Sequence, residues 1–198
     1  MDKVIRIQDR RYHLICDQGE TEEAILFLHG FPECAYAWRQ VIQFLSNGKS
    51  KWSLDLLGYG QSSRPDSEKF YHIESLVKDM RTIVQEIGKT PITIVGHDWG
   101  GIVAWHFLAE FPELVKKMIS INSPHPLIYF ERLKNCEEQK RASSYIDIFL
   151  ADRGVEFCQK NDFRALKYNL FSNIDDNYKN VLINQWSEPT FLEAALRY

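Results

Sequence analysis

Seven consecutive residues, Val95-Gly96-His97-Asp98-Trp99-Gly100-Gly101, put a carboxylate where it can act as a nucleophile. An apolar run, Ile92 to Val95, precedes them, and a helical run, Ile102 to Phe111, follows. A strand that turns directly into a helix forces strained dihedrals on Asp98, and Gly96 and Gly100 leave room for the two elements to approach. A carboxylate held there needs no base to activate it. It can attack an electrophilic carbon directly and form an ester. Taken alone, Asp98 would read as an N-cap aspartate, a common role at a helix start. Flanking glycines after a buried strand favour the nucleophile instead. His97 reads as structural, because its neighbour occupies the reactive direction of the turn.

The elements that must position Asp98 are legible by pattern. Lys3 to Ile7 and Arg11 to Ile15 alternate like strands, joined by Gln8-Asp9-Arg10 as a hairpin. Ala24 to Leu28 is a continuous apolar run, suited to a strand buried on both faces of a parallel sheet. Tyr36 to Leu45 reads as a helix. Lys51 to Leu56 should be the next strand, although it is unusually polar. Ile73, Leu76, Val77, Met80, Ile83, Val84 and Ile87 repeat at helical spacing up to Gly88. Pro91 to Val95 feeds the Asp98 turn, and Met118 to Ile121 is a further strand. Strands alternating with helices predict a doubly wound, mostly parallel α/β sheet. After Asn122 the character changes at Ser123-Pro124-His125-Pro126, and the rest reads as helical. The expected division is residues 1–122 as the N-terminal part of a core and 123–198 as an incomplete helical cap.

The 198 residues suit one domain, with 44% apolar residues for a core and 13% aromatics for a lined pocket. The net charge of −3, with no basic block, argues against a nucleic-acid partner. Cys16, Cys34, Cys136 and Cys158 show no paired or zinc-like spacing and read as free thiols. Neither a signal-type run nor a membrane-length apolar segment occurs, so a cytoplasmic protein is the expectation. Lys134 to Arg141 is most simply a solvated helix face.

With the Asp98 turn, the motifs His29-Gly30-Phe31-Pro32-Glu33 and Asp55-Leu56-Leu57-Gly58-Tyr59-Gly60 make this chain resemble the epoxide hydrolases of the α/β-hydrolase superfamily. The motifs run in order at compatible spacings. Either alone is less specific, because haloalkane dehalogenases share H-D-W-G, often with a polar halide-holding residue where Phe31 stands. Fluoroacetate dehalogenases can share H-G-F-P but tend to a charged residue in place of Trp99. Leu57 departs from the arginine common at its position, a change expected to touch a surface or supporting contact.

The resemblance implies an α/β-hydrolase fold with a helical cap. It makes Asp98 the nucleophile, favoured as an anion at a helix start. It makes the amides of Phe31 and Trp99 the oxyanion hole, used when water attacks the ester. Pro32 matches a cis-proline, and His29, Gly30, Gly96, His97 and Gly100 are supporting motif residues, with His29 bracing its loop. Tyr145 matches the first cap tyrosine that protonates the opening ring. Tyr198 is either the second or its immediate neighbour. The implied partners are a small hydrophobic epoxide and water, with no metal and no organic cofactor. Asp55 and Tyr59 are expected to order a loop.

The hydrolytic half requires a histidine base and an acid. In the family both usually follow the cap, after two more strands, where this chain has no residues; Asn122 holds the alternative acid position. The C-terminal strands are therefore expected to be absent, the chain a truncated product or fragment, and Met118 to Ile121 an exposed apolar edge. His125, at a strand's C-terminal end, is a candidate substitute base against the commoner role of bracing between two prolines. His13, His72 and His106 read as ordinary surface or core histidines. Tyr145 competes with a plain core role among Tyr129, Phe130, Phe149 and Phe157. Two other functions stay open: a dehalogenase using the same displacement, and a catalytically silent remnant.

Overall fold

A computed structural model describes residues 1–46 and 48–198. Six strands form one sheet: β1 (Asp2–Ile7), β2 (Arg10–Asp17), β3 (Ala24–Leu28), β4 (Ser50–Leu54), β5 (Ile92–His97) and β6 (Val115–Ile121). Their order across the sheet is β1-β2-β4-β3-β5-β6. β1 and β2 are antiparallel, β2 meets β4 antiparallel, and β4, β3, β5 and β6 are parallel. The hairpin turn is tighter than expected: Ile7 already pairs with Arg10, and Gln8 takes a positive φ of 56°.

All five residues of β3 are buried, and period-two alternation splits them between the faces. Leu26 and Leu28 join the main core cluster. Ile25 and Phe27 pack with Trp38, Ile42 and Val95 on the other face. The first face is covered by α2 (Ile73–Ile87) and α3 (Trp99–Glu110), the second by α1 (Arg39–Phe44) and the single 3₁₀ turn before it (Ala35–Trp38). The amphipathic stripe of α2 buries Leu76, Val77, Met80, Ile83, Val84 and Ile87. Gly88 ends that helix at φ 75°, the left-handed conformation glycine adopts without steric cost.

β4 is wholly buried despite its polar sequence, because the side chains of Ser50, Lys51 and Ser53 have partners. The Ser53 hydroxyl donates to the Ala35 carbonyl at 2.7 Å, Lys51 meets Asp17 at 2.7 Å, and Ser50 accepts the Gly19 N–H at 3.0 Å. A second buried polar group ties β2 to α2. Arg10 grips Asp79 bidentately at 2.9 and 2.8 Å, and the Tyr12 hydroxyl donates to the same carboxylate at 2.6 Å. His13 is also buried, held between Asp55 at 2.7 Å and Asp2 at 2.9 Å. The hydrogen bond that His13 donates to Asp55 is the main cause of a pKa above the usual histidine value, with burial opposing it.

β6 closes the sheet with an open edge on which Ile119 is 42% and Ile121 38% exposed. It begins three residues before the expected Met118, at Val115. Beyond it come α4 (Pro126–Asn135), α5 (Glu137–Leu150), α6 (Gly154–Leu170), α7 (Asp176–Trp186) and α8 (Phe191–Ala195). The backbone leaves helical geometry within α6, from Lys160 to Phe163. Tyr178, Leu182, Trp186, Phe191 and Leu192 from α7 and α8 join the main core cluster. The four cysteines are free thiols. Among the described residues, no helix is long and apolar enough to cross a membrane.

Candidate active site

The parallel register brings the C-terminal ends of β3, β5 and β6 to one rim. Leu28 pairs with Gly96, and His97 pairs with Ile121. Loops leaving one such rim are where open α/β sheets bind ligands. Asp98 sits there between β5 and α3 at φ 53° and ψ −122°, a conformation sparsely populated by non-glycine residues. α3 begins at Trp99, three residues earlier than the apolar pattern indicated.

Three glycines make the bend sterically feasible. A methyl on Gly96 would lie 2.6 Å from the Gly100 carbonyl oxygen, and one on Gly100 would lie 2.5 Å from the carbonyl oxygens of Leu28 and His29. A methyl on Gly30 would fall on the Asp98 side chain itself, 2.7 Å from its Cγ. The loop after β3 therefore approaches the carboxylate to within a distance only glycine permits.

That approach delivers a donor. The Phe31 N–H donates to Asp98 Oδ1 at 2.9 Å. Trp99, the first residue of α3, contributes one of the amides that a helix start leaves without an intrahelical acceptor. The Phe31–Pro32 peptide is cis. His29 braces the loop from beneath: its Nε2 accepts the Leu56 N–H at 3.1 Å, and its Nδ1 therefore donates to the Gly30 carbonyl at 2.9 Å. Complete burial lowers its pKa, in keeping with this neutral tautomer.

The loops at the rim are clamped from the C-terminal helices. The Pro32 carbonyl accepts from Trp186 Nε1 at 2.8 Å and Gln185 Nε2 at 3.2 Å. Gln185 Oε1 accepts the Gly60 N–H at 2.8 Å, and the Tyr59 hydroxyl donates to the Ala195 carbonyl at 3.1 Å. Asp55 gathers its own loop by accepting the N–H groups of Ala35 at 2.6 Å and Gln61 at 3.0 Å.

Other sequence candidates lie at different distances from the carboxylate's chemistry. His97 approaches Glu33 at 3.5 Å, and Glu33 also accepts the Tyr178 hydroxyl at 2.9 Å. The Glu33 hydrogen bond raises the His97 pKa against the effect of burial. Burial would raise Glu33, but the hydrogen bonds from His97 and Tyr178 outweigh it and hold Glu33 below its usual value. This link is a contribution that sequence reasoning missed; its partners lie up to 145 residues apart. Tyr145, on α5, is 52% exposed. Partial burial, the Asp98 charge and Tyr129 raise its pKa, so it keeps its proton.

Tyr198 is placed differently. Its hydroxyl donates to the Leu57 carbonyl at 2.7 Å, and its ring packs against Tyr59, Tyr71 and Trp99. Leu57 is fully buried in the core, so the arginine-to-leucine departure is an interior contact and not a surface one. His125 packs its ring against Trp105 at 4.9 Å. His106 Nδ1 contacts the Ile102 carbonyl at 2.9 Å.

Comparison with known proteins agrees with this architecture. A family profile for the alpha/beta hydrolase fold matches residues 23–136. "Epoxide hydrolase 4" of Mus musculus is 35% identical over 167 residues, covering 83% of this chain and 46% of the relative. The chain thus spans about half the length of this curated relative. The AB hydrolase superfamily protein YfhM of Bacillus subtilis is 32% identical over 197 residues, covering 94% of this chain and 68% of the relative. A variant Bacillus megaterium epoxide hydrolase, solved with its product (R)-3-[1]naphthyloxy-propane-1,2-diol, superposes with a TM-score of 0.88. It is 29% identical, and the match covers 98% of this chain and 71% of that one. The chain belongs to the α/β-hydrolase superfamily, where the proteins it resembles include epoxide hydrolases of animals and bacteria.

Proposed function

We propose that Asp98 attacks an epoxide carbon and forms an ester, the first half of an epoxide hydrolase reaction. The observation that carries this reading is the carboxylate fixed at the bend with Oδ1 on the Phe31 N–H at 2.9 Å. One oxygen is held, which leaves Oδ2 to bond to carbon. The new C–O bond forms as the ring C–O bond breaks, and the ring oxygen takes the Tyr145 phenol proton. Oδ1 becomes the ester carbonyl, already beside an amide that can stabilise negative charge when water adds. In this reading residues 1–122 are the catalytic core and 123–198 the cap that carries the proton donor. The naphthyl ether of the megaterium enzyme's product supports an aryl-bearing epoxide as substrate class.

Water attack needs a base. Among the described histidines, His29 is bonded at both nitrogens, His13 is held between two carboxylates, and His97 faces Glu33. His106 contacts a backbone carbonyl, His125 packs on Trp105, and His72 lies at the start of α2. The ester is therefore expected to form and accumulate. Incubating the chain with styrene oxide and measuring intact mass tests this. One adduct is expected, mapped to Asp98 and lost in Asp98→Ala. A folded protein that acquires no adduct overturns the reading in favour of a silent remnant. Faster labelling by a haloalkane than by the epoxide reassigns the displacement to dehalogenation.

A further inference from the structure

We infer that Phe149 is a positioning residue, setting where Tyr145 stands relative to Asp98. The inference rests on the proposed role of Tyr145 and extends it to a side chain with no polar atom. Tyr145 and Phe149 lie one turn apart on α5, so they share a face. Their rings meet edge-on with centroids 5.9 Å apart. On its other side Phe149 meets the Phe31 ring at 5.3 Å, and Phe157 closes the group at 6.0 Å. One ring thus touches both the tyrosine and the residue whose N–H holds the Asp98 carboxylate.

α5 packs on its neighbours α4 and α6 but buries little of itself. None of its residues is fully buried. Its faces carry Tyr145, Ile148 and Leu150 at 52, 47 and 53% exposure. Among the described residues of α4 and α5, Phe149 is the side chain that packs on the main core. The bond from Tyr129 to Ser143, at 2.9 Å, joins α5 only to α4, which is itself exposed. The chain turns sharply just beyond: the Gly154 N–H donates to the Ala151 carbonyl at 2.7 Å, and a methyl on Gly154 would collide with the Phe149 carbonyl. α5 also lies against α6, where Phe157 meets Phe149, and the ring contact of Phe149 with Phe31 is the one that links α5 to the loop holding the Asp98 carboxylate. A ring pair of this kind also has directional preference, because edge meets face.

A double-mutant cycle on the rate of Asp98 labelling by styrene oxide separates positioning from general packing. Tyr145→Phe is expected to slow labelling by about 100-fold, the usual scale for a lost proton donor. Phe149→Ala should slow it by about 10-fold or more, with the loss in the limiting rate and not in the half-saturating concentration. In the Tyr145→Phe background, Phe149→Ala should cost no more than about 2-fold, because the group it positions is gone. Phe149→Leu, which keeps an apolar anchor, should recover most of the rate. Equal slowing in both backgrounds overturns the inference.

An independent readout covers the case in which the parent chain forms no adduct, which would defeat the functional reading alone. In protein labelled with 3-fluorotyrosine, the resonance missing from Tyr145→Phe identifies the Tyr145 ring by ¹⁹F NMR. Phe149→Ala should move and sharpen it, and Phe149→Leu should largely restore it. An unmoved resonance overturns the inference whatever the labelling shows.

Discussion

Gly30→Ala tests the closest approach at the site. The added methyl would stand 2.7 Å from Asp98 Cγ and nearer still to its Cβ and Oδ1. Ordinary carbon contacts begin near 3.5 Å, so the loop and the carboxylate must separate by about 1 Å. The movement has no soft outlet. On one side the Pro32 carbonyl is tied to Trp186 and Gln185; on the other Asp98 is fixed between β5 and α3. It must lengthen the 2.9 Å bond from the Phe31 N–H, a charge-assisted bond whose loss costs about 1.5–3 kcal/mol. A misplacement of this size in a reacting group lowers the rate by about 100-fold, or about 2.7 kcal/mol in the barrier. Crowding adds about 1–3 kcal/mol of destabilisation, leaving a folded protein to assay. The assay is the first-order rate of styrene oxide labelling by intact mass, beside Gly88→Ala. At Gly88 a methyl meets nothing closer than 3.9 Å, so that variant should lose about 1 kcal/mol of stability and no labelling rate. A folded Gly30→Ala protein labelled within about 3-fold of the parent rate would falsify the claim that this contact positions the nucleophile.

Three further outcomes are expected. Glu33→Gln should destabilise most between pH 4.5 and 6.5, the ordinary values of the two partners. The raised His97 contributes fully below its ordinary value and less as pH climbs through the raised one; the lowered Glu33 contributes above its ordinary value and less as pH falls. A Tm difference independent of pH contradicts this; inside the window about 1–3 kcal/mol is expected, at roughly 2–4 °C per kcal/mol. Asp79→Asn should lower urea-unfolding stability by about 3–5 kcal/mol, because the Arg10 charge is left buried without its partner, and a loss below about 1 kcal/mol refutes that account. Tyr198→Phe should cost about 1 kcal/mol of stability and leave labelling nearly unchanged, since its hydroxyl serves the Leu57 carbonyl; a 100-fold slowing would make Tyr198 the proton donor instead.

The parts of the fold governed by local periodicity were legible in the residues. The stripe of α2 and the apolar run of β3 needed nothing but their own spacing. The Asp98 bend was legible too, because glycine at Gly96 and Gly100 has few other reasons to flank a buried strand. β4 was harder to read, since Ser50, Lys51 and Ser53 are buried only by virtue of partners far off in sequence. The early start of α3 was hidden by Gly100 and Gly101, which are poor helix formers but allow close packing. β6 starts before Met118 because Val115 pairs with Ile92 across a register shift that no pattern announces. At the site, chemistry-bearing types stood out, whereas supporting contacts did not. Glu33 and Tyr178 carry no mark of their meeting, and Leu57 gave no sign that it would be interior.

The clamp on the Pro32 carbonyl has a consequence for synthesis. Its donors at Gln185 and Trp186 follow it by 153 and 154 residues, and the Gly60 amide waits 125 residues for Gln185. A nascent chain can assemble the β3, β4 and β5 strands long before those side chains emerge, but its donor loop then hangs without an outer brace. Contacts of such long separation close late and slowly. Competence to bind the Asp98 carboxylate should therefore arise only after Gln185 and Trp186 have emerged, later than the pairing of β3, β4 and β5.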